Sequence, residues 1–281
     1  MKKQIVFGAG GVLLIVLLFI FGRTTETKRL SSPAPQPSLS TFNIQQFIND
    51  AKAKLNPAQA IFVSKLENGI SRGDVASQQV KAKISLANFW RDSVKLFEPY
   101  AFYSSEAANL DNSEKNLTFA AQLFLDNLRQ EHDEAKLNWE TTEAIQLFEK
   151  ALKLNPENDD LKIGLGSCYI YGRGRNGGPE ETMKGIQQVL AVVRKDSTNM
   201  KAQFLLGVGG AVSGQYDKAI ERLNKVVLAQ PANLEAIAFL ADTYAAKGDK
   251  EIAIKWYTIS KRLANNTHYS QEVDERIKLL K

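Results

Sequence analysis

The residue types that carry most enzyme chemistry are sparse in this chain: two histidines, His132 and His268, one cysteine, Cys168, and two short glycine-containing runs. Neither histidine sits in a His, Cys or carboxylate cluster with the spacing of a zinc site. Cys168 lies in the apolar stretch 163–171 with no His or Asp placed to activate a thiolate, so it reads as a buried structural thiol. Being alone, it makes no internal disulfide. Gly164-x-Gly166 could cradle an anion only after a strand, and no strand pattern precedes it. Gly172-Arg173-Gly174-Arg175 has the composition of a mobile loop that could touch an anion or a partner. No nucleophile elbow, phosphate loop or paired catalytic carboxylates occur. The expectation is a protein with no catalytic residue, no metal site and no cofactor, hence not an enzyme.

Charge points the same way. The chain carries 36 Lys and Arg against 31 Asp and Glu, a net +5. Residues 1–42 hold +4 of this excess, leaving 31 basic and 30 acidic residues in the remainder. Gripping a phosphate backbone requires clustered, uncompensated cations. None follow Arg29, so nucleic acid is not an expected partner.

Those amino-terminal charges bracket a different element. Residues 4–22 are nineteen consecutive uncharged, mostly apolar residues. A helix of that length rises about 28 Å, close to the ~30 Å apolar thickness of a bilayer. The run ends in Phe19-Ile20-Phe21-Gly22-Arg23, too bulky for a cleaved signal peptide, so 1–22 is expected to be a membrane anchor. Lys2 and Lys3 oppose Arg23, Lys28 and Arg29, which leaves orientation nearly balanced. The short cationic tail favours export of the remainder, hence a single-pass protein with its body across the membrane. Gly8-Ala9-Gly10-Gly11 is a strip on which two such helices could pair as a homodimer. Residues 23–41 are rich in Ser and Thr and contain Pro33, Pro35 and Pro37, which favours an extended tether.

From Phe42 onward strand signals are missing and apolar residues recur at three and four spacing, so the body is expected to be all helix. Helix starts are expected at Asn56-Pro57 and near Asp74. Trp90, Phe97, Tyr100, Phe102 and Tyr103 read as core aromatics of a helical amino-terminal part, 42–113. The decisive feature is an internal repeat. Residues 201–231 align with 235–265 at an offset of 34. Leu206-Gly207 then matches Leu240-Ala241, Gly214 matches Gly248, Ala219 matches Ala253, and Leu223 matches Tyr257. Leu165-Gly166 with Tyr169, preceded by Ala144, Phe148, Ala151 and Pro156, repeats the scheme with insertions. One insertion, of about seven residues, is expected as a loop after Tyr169, and another as a lengthened turn from Arg129 to Asn138.

Leu240, Ala241, Tyr244, Gly248, Ala253 and Tyr257 resemble the signature of the tetratricopeptide repeat; Asn265 stands where that family places proline. The resemblance covers 114–266, with 42–113 as a degenerate repeat at most and 267–281 as a capping helix. It implies an all-α helix-pair solenoid, a tetratricopeptide superhelix, behind the transmembrane helix. With residues 88–110 ahead of the repeats the chain resembles bacterial tetratricopeptide proteins with an N-terminal anchor, which implies a bacterial inner membrane and a periplasmic body. It also implies a concave face, lined by first helices, that receives a protein or peptide. Carried over residue by residue, that face is expected at Asp160, Ile163, Ser167, Ile170, Lys201, Phe204, Val208, Glu235, Ala238 and Asp242, although each could equally serve packing. The clamp by which some family members grip chaperone carboxylates is not expected, because Ile163, Ser167, Phe204, Val208, Ala238 and Asp242 replace its Lys and Asn. Two functions follow from the resemblance. One is a membrane-tethered scaffold with a defined partner; the other is a periplasmic holder or envelope assembly factor with many clients.

Overall fold

The computed structural model describes residues 41–72 and 75–281. The expected anchor, nearly all of the tether and the helix start at Asp74 lie outside the described residues. Within them no helix is long and apolar enough to cross a membrane, and no strand occurs.

Local chemistry sets the helix starts. Asn56 and Gln59 form a reciprocal capping box: each backbone N–H donates to the other's side-chain oxygen, at 3.1 and 2.9 Å, with Pro57 in the first turn. Helix α2 (Pro57–Arg72) follows, after α1 (Ile44–Lys52), and α3 (Ala76–Phe89) runs into a π-helical turn, Trp90–Val94. These helices and α4 (Phe97–Asp111) surround the fully buried Trp90. Helices α3 and α4 pair, and α4 packs on the next element, so the described residues of 42–113 form four helices that continue into the repeats.

Four helix pairs follow. The first is α5 (Glu114–Leu128) with α6 (Glu134–Leu154), and the second is α7 (Asp159–Ser167) with α8 (Gly174–Lys195). The third is α9 (Met200–Val212) with α10 (Tyr216–Ala229), and the fourth is α11 (Leu234–Lys247) with α12 (Lys250–Ala264). An asparagine opens α7, α9 and α11: Asn158, Asn199 and Asn233 each accept backbone N–H bonds from the first turn. Helix α12 ends on Asn265 at φ 44°, so a left-handed cap stops the helix where the family signature would place a proline. Helix α13 (Thr267–Leu280) then lays Val273 against Ala241, Ala253 and Tyr257.

The predicted packing residues occupy helix crossings. Leu165, Leu206, Ala219, Leu240, Ala241, Ala253 and Tyr257 are buried, Tyr169 and Tyr244 half-buried, and Gly248 caps α11 at φ 97°. A Cβ on Gly207 would lie 2.7 Å from Leu223, and one on Gly166 would lie 2.5 Å from Val189. Backbone-close crossings therefore require these glycines.

Both expected insertions take a different form. The connection after α5 is only 129–133, and α6 is lengthened instead, to 21 residues against 14 in α10. After α7 the chain does not form a loop. It passes through a π-helical turn, Cys168–Arg173, and stays helical until Gly178 (φ 76°, ψ −166°) and Pro179 turn it into the second helix. The two extensions interlock. Gly172 sits against Thr141, whose Oγ1 lies 2.2 Å from where a Cβ would be. Arg173 donates to Thr142 Oγ1 at 2.8 Å, and Arg175 donates to the carbonyls of Leu128 and Glu131 at 3.1 and 3.2 Å. A cation thus closes the carbonyl end of α5.

Candidate functional site: a cleft between first helices

The first helices of successive pairs pack side by side in the order α5, α7, α9, α11. Between them lies a cleft of about 550 Å³. Its apolar lining includes Leu125, Ile163, Phe204 and Leu205, and its polar lining includes Asp126, Asp160, Lys201 and Glu235. A smaller cavity of about 120 Å³ shares Glu235 and adds Ala238, Phe239, Asp242, Tyr257 and Arg276.

Eight of the ten expected groove residues come together here: Asp160, Ile163, Ser167, Lys201, Phe204 and Glu235 in the larger cavity, Glu235 again with Ala238 and Asp242 in the smaller. Ser167 is largely buried and turns its hydroxyl inward, donating to the Ile163 carbonyl at 2.9 Å. Phe204 packs edge-on to Phe239 with ring centroids 5.5 Å apart.

Ile170 and Val208 do not belong to the cleft; both are 1% exposed and pack in one cluster with Val189 and Ile186. For Ile170 the cause is the π turn. Its extra residue per turn rotates Ile170 into the core and brings Tyr171 to the cleft in its place. For Val208 the cause is the same segment, which packs on α9 and approaches so closely that Ile170 and Ile186 would touch a Cβ at Gly209.

Reading the sequence also passed over the wall supplied by α5 and the residues after it: Gln122, Leu125, Asp126, Arg129 and Gln130. The lengthened α6 displaced α5 from the fixed repeat offset, so its cleft face had no partner in the alignment. The signal available was helical spacing alone, since 122, 126, 129 and 130 share one face.

Arg129 joins the ends of this wall. Its guanidinium lies 4.5 Å over the Tyr171 ring, donates to the Tyr171 hydroxyl at 2.8 Å and pairs with Glu235 at 2.7 Å. Burial acts against the Arg129 charge, but Tyr171 and Glu235 outweigh it and raise its pKa. Burial likewise raises the Tyr171 phenol, against the neighbouring cation. In the smaller cavity Tyr257 donates to Asp242, which also takes Arg276 at 2.7 Å; burial and then the carboxylate push Tyr257 up to about 12. Arg129 therefore stays charged and Tyr171 and Tyr257 stay neutral, which suits binding.

The remaining candidates for chemistry fall elsewhere. Cys168 is fully buried and burial pushes its thiol well up, so it stays protonated. Gly164 and Gly166 are packing glycines, the former against Phe148. Arg173 is spent on Thr142 of α6, and Arg175 on the carbonyls of Leu128 and Glu131 at the end of α5. His132 is exposed in the connection after α5, and His268 lies 3.2 Å from Glu272 on α13.

The helix pairs, their small-residue crossings and the cleft between first helices define the class: a helix-pair solenoid of the kind that tetratricopeptide repeats form. Family models described as Tetratricopeptide repeat match residues 140–171 and 211–266. Among solved structures it is similar to a tetratricopeptide repeat protein from Parabacteroides merdae, at 15% identity and a TM-score of 0.51, covering 84% of this chain and 90% of that one. A looser likeness, at 20% identity and a TM-score of 0.45, is to YrrB, described as a TPR protein with an unusual peptide-binding site; it covers 72% of this chain and 98% of that one. Among curated proteins it is 28% identical over 158 residues to the BBSome complex member BBS4 of Bos taurus, over 56% of this chain. The chain spans about a quarter, 26%, of that relative's length.

Proposed function

We propose that this protein is a scaffold that holds a segment of another protein in the cleft between α5, α7, α9 and α11. The observation that carries the reading is the cleft itself: first helices of four successive pairs expose Ile163 and Phe204 between charged walls, the composition that seats an amphipathic helix or an extended peptide. The tetratricopeptide repeats support it, and the curated relative is by name a member of a protein complex. The protein acts by binding and not by catalysis. Residues 4–22 anchor it in a bacterial inner membrane, 23–41 set the body off from the bilayer, and the cleft works on the periplasmic side.

The test is photo-cross-linking in cells of the full-length chain. The cross-linking residue replaces Gln122 in the cleft or Leu228, which is 81% exposed outside it. We expect one or two proteins captured from Gln122 and not from Leu228, with capture lost when Ile163→Glu is added. The captured protein's compartment then reports the topology. Equal capture at both sites, or capture indifferent to Ile163→Glu in a folded chain, would remove the cleft as the binding site; many weak adducts would favour a holder of many clients.

A further inference from the structure

Resting on that reading, we infer that the cleft takes a basic apolar segment: one whose Leu- or Phe-like side chains enter beside Ile163 and Phe204 while flanking Lys or Arg meet carboxylates on the walls. The charges of the two joined cavities carry this. Five carboxylates line them, Asp126, Asp160, Glu235, Asp242 and Glu272, against three cations, Arg129, Lys201 and Arg276.

Two of those cations are already spent. Arg129 is stacked on Tyr171 and paired with Glu235, and Arg276 is paired with Asp242. The third is loosely held: Lys201 reaches Asp160 only at 3.4 Å, with side chains 78% and 76% exposed, a pair with little holding energy in water. Asp126 has no cationic partner among the described residues; its carboxylate accepts the Gln122 amide at 2.6 Å. Asp126 and Asp160 therefore present carboxylate oxygens to a ligand from α5 and α7, with Ile163 on the same lining.

Bringing a basic segment in adds ion pairs without breaking any buried one. An acidic segment would have to displace Glu235 from Arg129 and would face Asp126 and Asp160 unscreened. The background gives no help, since the 31 basic and 30 acidic residues after position 42 nearly cancel at long range. A preference for basic ligands must then come from the cleft.

The test uses the full-length chain in a nonionic detergent and three fluorescent synthetic peptides. They share one pattern of Leu and Phe, with the polar positions all Lys, all Gln or all Glu. We expect anisotropy to show the Lys peptide binding about tenfold tighter than the Gln peptide and tighter still than the Glu peptide, the gap narrowing as salt rises. Asp126→Asn with Asp160→Asn should bring the Lys peptide to within about twofold of the Gln peptide measured on the same variant. Both positions are exposed, so circular dichroism should show an unchanged fold. Equal binding of the three peptides, preference for Glu, or a Lys preference that survives the double variant overturns this inference and leaves the cleft reading standing. If none of the three binds, both fall.

Discussion

The third and fourth helix pairs and the first and second solve one packing problem in two ways. In 201–265 the crossings are made by small residues: Gly207 lets Leu223 approach, and Ala219, Ala241 and Ala253 are fully buried. Each helix there is 13 to 15 residues long, and three residues separate α9 from α10 and two separate α11 from α12. In 114–195 both units are expanded, yet the extra residues do not leave as loops. One extension is added to the start of α6 and the other to the end of the following first helix, α7, and they meet and bury each other at Gly172 and Thr141. An insertion in one unit is tolerated because the neighbouring unit carries a matching one. The pair of extensions also builds what the regular units lack, the Arg129 and Tyr171 wall at one end of the cleft.

Breaking the interlock should have the largest effect. Gly172→Leu must push α6 away from the π turn, and overpacking at a buried crossing should cost about 3 kcal/mol. The contrast is Gly214→Ala in the regular part, where a Cβ meets nothing within 4 Å and only the φ of 76° is strained, so about 1 kcal/mol is expected. Denaturant unfolding compares the two. Thr141→Ala removes the atoms nearest the missing Cβ, so Gly172→Ala combined with Thr141→Ala should be less destabilised than the sum of the single changes. Strict additivity would mean the extensions do not interlock.

How much of this could be read beforehand follows the same division. The regular units were legible because side-chain size alternates at one offset, and Leu240, Ala241, Tyr244 and Ala253 lie in the structure where that periodicity places them. The expanded units were not, because an extension that stays helical keeps helical spacing while shifting the offset. The run from Gly172 to Gly178 has the composition of a loop. Its first glycines are there to admit Thr141 and Thr182, and only Gly178 makes the turn. The π turn is likewise invisible as a pattern, and it exchanged Ile170 for Tyr171 on the cleft. The asparagine caps at Asn158, Asn199 and Asn233 would have marked the first helices of the last three pairs, while α5 opens on Ser113 instead.

A second difference lies in a buried carboxyl. The expanded first pair buries Glu140 completely; one of its oxygens accepts the Asn127 amide at 2.9 Å and the other has no partner. Burial pushes its carboxyl up to about 8, with Glu131 and Glu98 adding to the shift against Asn127 and Lys136. Because the folded pKa is raised, the unfolded chain loses this proton first, near 4.5, and the folded chain holds it to about 8. Glu140 therefore contributes its full stability below about pH 4.5, and that contribution declines as pH rises through about 8. Relaxation around the charge limits the swing to about 2 kcal/mol. Glu140→Gln should flatten stability across this window and raise it most at the alkaline end, as thermal unfolding at stepped pH would show. A variant that unfolds more readily at every pH would mean the carboxyl is not held neutral.

The smallest expected effect bears on whether the two halves are coupled at all. In a helix-pair solenoid each unit stabilises its neighbours, and distant units respond to one another only through those between them. The Arg129–Glu235 pair departs from that rule by joining the first helix pair directly to the fourth, across the cleft. Its side chains are 41% and 45% exposed, so Arg129→Ala should cost only about 0.5 kcal/mol of total stability. Its effect on independence should be plainer than its effect on stability. Without the bridge, amide hydrogens of α11 and α12 should exchange faster while those of α3 and α4 keep their rates, and Glu235→Gln should reproduce the pattern. Uniform exchange changes, or none in α11, would mean that the cleft is held open by nearest-neighbour packing alone and that Arg129 serves only to shape its wall.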